Sequence, residues 1–340
     1  MEKCALCLER DANDTGSHIV PHFLLKRIFN VEDAKGRDQE LSFKLTEFDV
    51  ETHFGRSVSP EKLDEVFGEL SDAELEEKAM AQMVVNNEWC TVCEKKFADL
   101  ESRYSDTLKT KSEENYQSTN QPSVSFIFWL SIFWRASQTD HVSFKLKYND
   151  QKIARALLNE YDINGSDEDL TSKYSHILEN ISYKIYRSPD YSSKRGTFLF
   201  MAHQSQPYSF IIDEFVVQFY FRVKHMKNNT QLFFGFEKIK DTPLNKFQNG
   251  EFVYSLSVED FGALMDNFVK YYQNIRVRSY DWALDRLHRK AGLRGTMDRK
   301  IKEEILHQVS AEQTKIGRKY TKEDFVRSTT SVFKKYGLIS

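Results

Sequence analysis

All of the cysteines in this chain lie in two short motifs of identical spacing. Of the four cysteines in 340 residues, Cys4 and Cys7 form one C-x2-C pair, and Cys90 and Cys93 form the other. Two such pairs are typical of a tetrahedral site in which four thiolates bind one zinc ion. Because four thiolates leave no open position for water, we predict a structural zinc rather than a catalytic one. The alternative is four unrelated buried cysteines, but such cysteines would have no reason to fall into two pairs of identical spacing.

The N-terminus and the most apolar stretch predict a cytoplasmic protein with no membrane span. The first motif follows after three residues without an apolar run, so we do not expect a secretory signal, and reduced thiols fit zinc better than disulfides. Residues 126–134 read FIFWLSIFW, which is less than half of the roughly 18 residues needed to cross a bilayer. This stretch is therefore expected to be a buried helix.

The length predicts two domains, because single hydrophobic cores stop growing at about 250 to 300 residues. We expect a metal module in residues 1–105, a polar linker in 106–123 and a second domain in 124–340. The 82 residues between Cys7 and Cys90 are expected to be an insertion within the metal module. Closing a loop of that length costs entropy only logarithmically, so one zinc site can hold it.

The expected fold class is α+β, with a helical insertion in the first module and an antiparallel sheet followed by helices in the second domain. In the first module we predict a strand in 41–50 and helices in 23–29, in 59–67, from 71 onward and from 94 onward. In the second domain we predict strands in 182–186, 196–202, 209–223 and 230–238. Helices are predicted there in 124–136, 151–161, 258–272, 280–290, 298–316 and 321–336.

Charge is unevenly distributed along the chain. The net charge is −3, but residues 276–340 carry 16 Lys and Arg against 8 Asp and Glu. A basic end on an acidic body is typical of a surface that binds a polyanion, and the alternative is an ordinary solvated helical surface. The candidate nucleic-acid-binding residues are Arg286, Arg289, Lys290, Arg294, Arg299 and Lys300.

Two polar residues next to the cysteine motifs have the chemistry of phosphodiester hydrolysis. His18 can accept a proton from water near neutral pH, which is the role of a general base. Glu94 follows Cys93 directly and offers hard carboxylate oxygens, which suit Mg²⁺ or Mn²⁺. The alternatives are that His18 is a buried structural histidine and that Glu94 only complements a helix N-terminus.

The order of these motifs resembles a known enzyme family. A C-x2-C pair, then His18 with Pro21 three residues later, then Asn86 and a C-x2-C-Glu motif, is similar to the HNH (ββα-metal) endonucleases in their zinc-knuckle form. The SHIVPHF segment from Ser17 resembles bacterial HNH-like proteins with an SHIIPxF segment, some of them associated with defence against phage. The resemblance covers about residues 1–105, and the stretch FWLSIFWRAS in 128–137 resembles a segment that follows in such proteins.

The resemblance implies a role for each matching residue. It implies that His18 activates water, that Glu94 binds the catalytic divalent ion, and that Asn86 or Asn87 braces the loop that carries the base. The chain departs from the family pattern at two positions. Ser17 stands where the family has a metal-binding residue before the base, and Ala98 stands where the helix often supplies a second ligand. His22 is a candidate replacement ligand.

Three further side chains have a structural interpretation as well as a functional one. His22 is more often structural than a ligand at such a position. Glu101 is on the same face of the predicted helix as Glu94 but about 10 Å further along, so we predict a solvated residue. Arg135 is expected to cover the end of its aromatic helix rather than to contact phosphate.

The function predicted from these features is a metal-dependent HNH-like endonuclease acting on DNA, with a structural Zn²⁺ and a catalytic Mg²⁺ or Mn²⁺. The alternative is a zinc-stabilised protein whose nuclease centre has decayed and which only binds nucleic acid or a protein partner. A third hypothesis makes the second domain a sensor of a small molecule. DNA is the expected partner, and a second protein of a defence system and a second copy of the chain are further candidates.

Overall fold

The structure is a computed structural model, and it describes most of the chain. The described residues are 2–28, 41–45, 50–54, 61, 63, 71, 83–107, 117–118, 122–139, 144–188, 198–200, 207–212, 214–227, 242–249, 251–315 and 322–339. The helices predicted in 59–67 and from 71 onward, and the strand predicted in 230–238, lie essentially outside these residues.

The described residues contain both helices and strands, which confirms a mixed α+β fold. The helices are α1 His22–Ile28, α2 Thr91–Thr107, α3 Pro122–Gln138, α4 Tyr148–Glu160, α5 Asp167–Leu178, α6 Val223–Lys227, α7 Val258–Lys290, α8 Arg299–Lys315 and α9 Lys322–Lys335. The strands are β1 Ser17–His18, β2 Leu41–Leu45, β3 Val50–Phe54, β4 Val84–Val85, β5 Gln117–Ser118, β6 Ser182–Arg187, β7 Phe198–Phe200, β8 Tyr208–Ile212, β9 Phe215–Tyr220 and β10 Glu251–Ser255.

The largest sheet has six strands in the order β5-β10-β6-β9-β8-β7. Its neighbouring strands are antiparallel except for β10 and β6, which run parallel. The strands β1 and β4 form a two-stranded antiparallel sheet, and β2 and β3 form a second sheet of two strands. The predicted antiparallel sheet is therefore present, with one parallel pair.

Helix α3 is the centre of the main core. Every residue from Ser123 to Ser137 is buried, as expected for a helix that is apolar on all sides. The ring of Phe128 stacks on Tyr104 of α2 with centroids 3.9 Å apart. On the sheet side, Phe133 lies 4.9 Å from Phe210 by ring centroids. Burying side chains of this size contributes about 1.5–3 kcal/mol each, so α3 organises both the sheet and the cysteine module.

A buried carboxylate joins this helix to the sheet. Glu251, at the start of β10, is 1% exposed and accepts hydrogen bonds from Trp129 Nε1 at 2.9 Å and from the Tyr183 hydroxyl at 3.0 Å. Burying a carboxylate is costly unless its oxygens are hydrogen-bonded, and these donors provide that compensation. The pKa of Tyr183 is raised, by burial first and then by the charge of Glu251.

Some predicted elements differ from the structure. The single strand predicted in 209–223 is wrong, because this run forms the hairpin of β8 and β9 and then enters α6. The two helices predicted in 258–272 and 280–290 are one continuous helix, α7. Strand β10 and helix α5 were not predicted.

The chain divides into two compact units. The first is Met1–Lys44, Glu51–Val58 and Asp72–Phe268, and the second is Leu45–Val50, Ser59–Ser71 and Val269–Ser340. In the first unit, the buried residues of the cysteine motifs, of α3 and of the six-stranded sheet belong to one hydrophobic cluster. In the second unit, Leu284 of α7 packs with Met297, which lies just before α8, and with residues of α8 and α9, which are Ile301, Ile305, Val332 and Phe333. The predicted division into 1–105, 106–123 and 124–340 remains a prediction about independent folding.

Candidate functional site

The four cysteines converge as their spacing predicts. The Sγ atoms of Cys4, Cys7, Cys90 and Cys93 all lie within 4.8 Å of one another, and none is in a disulfide. Three of the four are buried, and Cys7 is partly exposed. In the first motif the backbone turns tightly, because Leu8 takes a positive φ of 62° and its N–H donates to the Cys4 carbonyl at 2.9 Å.

Backbone hydrogen bonds join the two motifs across the intervening chain. The N–H of Ala5 donates to the Glu88 carbonyl at 3.0 Å, and the N–H of Asp14 donates to the Trp89 carbonyl at 3.0 Å. Trp89 is fully buried and its ring lies 5.9 Å from that of Phe97 in α2. The thiols are thus held together by the fold around them, which favours a preformed metal site.

The protonation of the thiols is strongly perturbed. Burial raises the pKa of Cys93, and the neighbouring thiols Cys90 and Cys4 raise it further. Burial also acts on Cys7, but backbone hydrogen bonds from Arg10 and Glu9 outweigh it and lower the pKa of this thiol to about 6. A dication bound by four thiolates would remove the repulsion between these groups, and thiolate sulfur is the ligand that zinc prefers in structural sites. The residue set therefore fits zinc.

The histidine predicted to be the base lies on strand β1, which begins ten residues after Cys7. The register pairs Ser17 with Val85 and His18 with Val84 of β4. Strand β4 then leads through the second cysteine motif into α2, which carries Glu94 in its first turn. Two antiparallel strands and a helix are thus joined at the cysteine cluster, with His18 and Glu94 in the same short module.

Glu94 is partly buried in a group of charged residues. Its pKa is raised, first by burial and then by the charges of Asp14 and Glu101, while Arg135 and a hydrogen bond with Ser17 act in the opposite direction. One of its oxygens, Oε2, is buried and forms no hydrogen bond with any described residue. The groups that act on it place the Glu94 carboxylate near Asp14, Glu101 and Arg135.

Ser17 is bound to a carboxylate that sequence reasoning missed. The Ser17 side chain is buried, and its Oγ donates to Asp14 Oδ2 at 2.7 Å. Asp14 is therefore fixed beside the strand that carries His18. The position of an acidic residue three residues before Ser17 was the only signal in the sequence.

The two asparagines hold the loop before His18. The side-chain carbonyl of Asn86 accepts from the Gly16 N–H at 2.7 Å. Asn87 takes a positive φ of 59°, and its N–H donates to the Asp14 carbonyl at 2.7 Å. The structure places both residues beside the segment that carries the candidate base.

We expect Asn86→Ala to reduce the stability of the protein by about 1 kcal/mol, the usual net value of one such hydrogen bond. The loss arises because the Gly16 N–H would have no side-chain acceptor. Chemical denaturation of the wild type and the variant measures this difference. Asn86→Asp keeps an acceptor oxygen and should stay within about 0.5 kcal/mol of the wild type, and equal losses in both variants would contradict this role.

His22 lies close to His18 without forming a recognisable metal site. It begins α1, is exposed, and its ring centroid is 5.5 Å from that of His18. Within the described part of the chain, the four cysteines are the only group of three or more His, Cys, Asp or Glu side chains close enough to hold a metal ion. His22, Ser17 and Glu94 therefore remain predicted ligands for a catalytic ion.

Arg135 connects helix α3 to the strand that carries His18. Its side chain is fully buried, its Nη1 donates to the His18 carbonyl at 2.8 Å, and the same nitrogen forms an ion pair with Glu101 Oε1 at 2.7 Å. The guanidinium also lies over the Phe97 ring, 4.8 Å from its centroid. The interpretations of Glu101 as a solvated residue and of Arg135 as a cover for the helix end are therefore wrong.

The six basic residues predicted to bind nucleic acid are exposed. They lie at the end of α7, in the following loop and at the start of α8. Arg299 forms an ion pair with Glu303 at 2.8 Å, which reduces its availability for a phosphate.

Comparisons of the chain with protein-family models, with curated proteins and with solved structures found no match. In the part of the chain that the structure describes, none of the helices is both long enough and apolar enough for a membrane span.

Proposed function

We propose that this chain is a metal-dependent, HNH-like endonuclease that hydrolyses phosphodiester bonds in DNA. The observation that carries the proposal is the placement of His18 and Glu94 on a strand pair and a helix that the cysteine cluster joins. A ββα-metal module has this order of elements. Asp14, which accepts a hydrogen bond from Ser17 at 2.7 Å, adds a second carboxylate beside the strand of the candidate base.

In this proposal each residue has a limited task. The four cysteines bind a structural zinc, and Asn86 and Asn87 hold the loop on which His18 is presented. His18 accepts the proton of the attacking water. Glu94, together with the candidate ligands Ser17 and His22, would hold Mg²⁺ or Mn²⁺, which would stabilise charge on the phosphate and the leaving oxygen. Asp14 adds a carboxylate bonded to Ser17.

The partners follow from the same proposal. DNA would contact the exposed basic residues of the second unit through its phosphates. The proposed location is the cytoplasm, which keeps the thiols reduced. The proposal also includes a role in defence against phage, in which the chain acts with a second protein or a second copy of itself.

Substitution of His18 tests the proposed activity. With Mg²⁺ or Mn²⁺ present, the wild type should nick a supercoiled plasmid, and His18→Ala should be at least about 100-fold slower, because a general base contributes that much or more. The matched control is His176→Ala, which removes an exposed histidine of α5 that has no role in the proposed site and should cut as fast as the wild type. An inactive wild type, or a His18→Ala variant as fast as the wild type, would overturn the proposal.

A second candidate function is a decayed, zinc-stabilised binding protein. The observation that favours it is the state of Ser17, whose hydroxyl is occupied by Asp14 and whose side chain is a weak metal ligand. This function would be supported if the wild type binds DNA but does not cut it under any of these conditions.

A further inference from the structure

The second half of α7 exposes a large aromatic side chain. Trp282 is 56% exposed, whereas the other tryptophans of the chain, Trp89, Trp129 and Trp134, are fully buried. Leaving such a ring in water forgoes the stabilisation that its burial would give. An exposed tryptophan on a long helix therefore needs an explanation other than packing.

Cationic side chains flank this ring. The guanidinium of Arg286, one turn further along α7, lies over one face of the Trp282 ring, 5.4 Å from its centroid, which leaves the opposite face for a stacked base. One turn before the ring, Arg278 lines a shallow cavity of about 220 Å³ together with Ile275, Ser279 and Trp282. The sequence spacing puts Arg278, Trp282 and Arg286 on one face of the helix, four residues apart.

The acidic residues of this part of α7 share one lysine of α8, which balances one of their two negative charges. Asp281 and Asp285 both bind Lys302 of α8, at 2.5 and 2.7 Å. Asp285 also accepts from the Met297 N–H at 2.9 Å, which fixes its direction toward α8. Neither Arg278 nor Arg286 forms an ion pair with a residue that the structure describes. The face around Trp282 therefore combines an apolar ring with two available positive charges.

We propose that Trp282, Arg278 and Arg286 form a binding site for single-stranded nucleic acid, in which an unpaired base stacks on the indole ring and the arginines contact the flanking phosphates. Proteins that bind single strands combine aromatic stacking surfaces with cationic grooves in this way. Arginine is suited to both parts, because its planar group stacks on rings and binds phosphate through two N–H groups. Along α7, each arginine is about 6 Å from Trp282, so the charges flank one stacked base.

The charge of this face distinguishes single strands from other occupants. A second copy packed on the same face would bring Arg278 and Arg286 close to their own equivalents, and such like-charge contacts cost stability. In duplex DNA the base faces are covered by their neighbours, so duplex could use the arginines but not the indole. An unpaired strand supplies both an open base face and phosphates.

This site goes beyond the proposed nuclease function and does not require it. Binding to Trp282 needs neither His18 nor the metal-dependent reaction. A protein that binds single strands without cutting them would support the site while leaving the nuclease proposal to its own test.

Intrinsic fluorescence tests the site directly, because Trp282 is the only tryptophan with a substantial exposed surface. The full-length protein is titrated with a twelve-residue oligothymidylate, and separately with oligouridylate, in buffer without Mg²⁺ or Mn²⁺. We expect quenching of the wild type by either oligomer and loss of most of that quenching in Trp282→Phe. If only oligothymidylate quenches the fluorescence, the site binds DNA; if only oligouridylate does so, the site binds RNA.

Affinity is measured with labelled oligomers by anisotropy. We expect Trp282→Ala to weaken binding of the single strand about tenfold, within the range found for removing one stacked base, and to change duplex binding less than twofold. Trp282→Phe keeps a stacking ring and should lose less affinity than Trp282→Ala. Removing Arg278 and Arg286 together should reduce the slope of log affinity against log salt by about 1.4, because each phosphate contact on a single strand contributes about 0.7.

The matched control is Tyr148→Ala in the first unit. Tyr148 is 69% exposed, and Lys152 lies 4.3 Å from its ring centroid, so this pair has the same kind of exposed ring and cation. We expect Tyr148→Ala to bind the oligomers as the wild type does. Unchanged affinity in Trp282→Ala, equal weakening for duplex, or a Trp282-dependent dimer or anionic-vesicle complex without oligomer binding would overturn the proposal.

Discussion

Cys90→Ser is expected to remove the bound metal and to destabilise the first unit by several kcal/mol. Structural zinc contributes about 10–16 kcal/mol of apparent binding free energy in small zinc domains, and that binding energy stabilises the fold. Here the cluster joins two segments separated by 82 residues, so loss of the metal removes one cross-link between them and leaves the backbone hydrogen bonds and the β1–β4 pair to hold them together. Metal analysis should find about one zinc ion per wild-type chain, and thermal unfolding should show a lower transition temperature for the variant.

Chelation provides the control for this prediction. A strong chelator should lower the transition temperature of the wild type toward that of Cys90→Ser, and it should have little further effect on the variant. Thiol accessibility should rise in both cases, because the buried Cys4 and Cys93 would become exposed to reagent. A variant that keeps its zinc and its transition temperature would show that Cys90 is not a ligand.

The cysteine cluster could be predicted from sequence because its information is local. Each C-x2-C pair sets the direction of two thiols within one tight turn, and only the meeting of the two pairs depends on the fold. The same holds for α3, whose continuous apolar residues are compatible with little except a buried helix. Both features therefore follow from the residue types and their spacing alone.

The contacts around His18 could not be predicted in this way. Arg135 binds the carbonyl of His18, 117 positions away in the sequence. Every residue has a backbone carbonyl, so the residue types do not show which one a side chain will bind. Asp14 resembles any loop carboxylate until the turn brings it to Ser17. Contacts of this kind are set by tertiary packing, which residue patterns describe poorly.

The hairpin of β8 and β9 escaped prediction for a different reason. All residues of both strands are buried, so the alternation that marks strand ends and turns is missing. Strand β10 begins with the buried Glu251, and a charged residue at a core position contradicts the usual pattern. The sheet was thus predicted in kind and not in its boundaries.

Arg135→Met is expected to destabilise the protein by about 3 kcal/mol, at the lower end of the cost of breaking a buried ion pair. Methionine fills a similar volume, so the loss reports the polar contacts rather than a cavity. The variant leaves Glu101 without its cation and the His18 carbonyl without its donor. Because the Glu101 side chain is itself 20% exposed, water can solvate it in part, which is why the lower end applies. Denaturant unfolding measures the loss.

A double-mutant cycle with Glu101→Gln separates the two contacts of Arg135. In the Arg135→Met, Glu101→Gln protein no uncompensated carboxylate remains, so we expect about 1 kcal/mol of the loss to be recovered. The remainder is assigned to the bond with His18 and to the stacking over Phe97. If the cycle shows no coupling and Arg135→Met stays within about 0.5 kcal/mol of the wild type, the arginine does not stabilise this module. A large loss that persists in the double variant would instead show that Arg135 holds the strand from which His18 projects, so that the core helix sets the geometry of the candidate site.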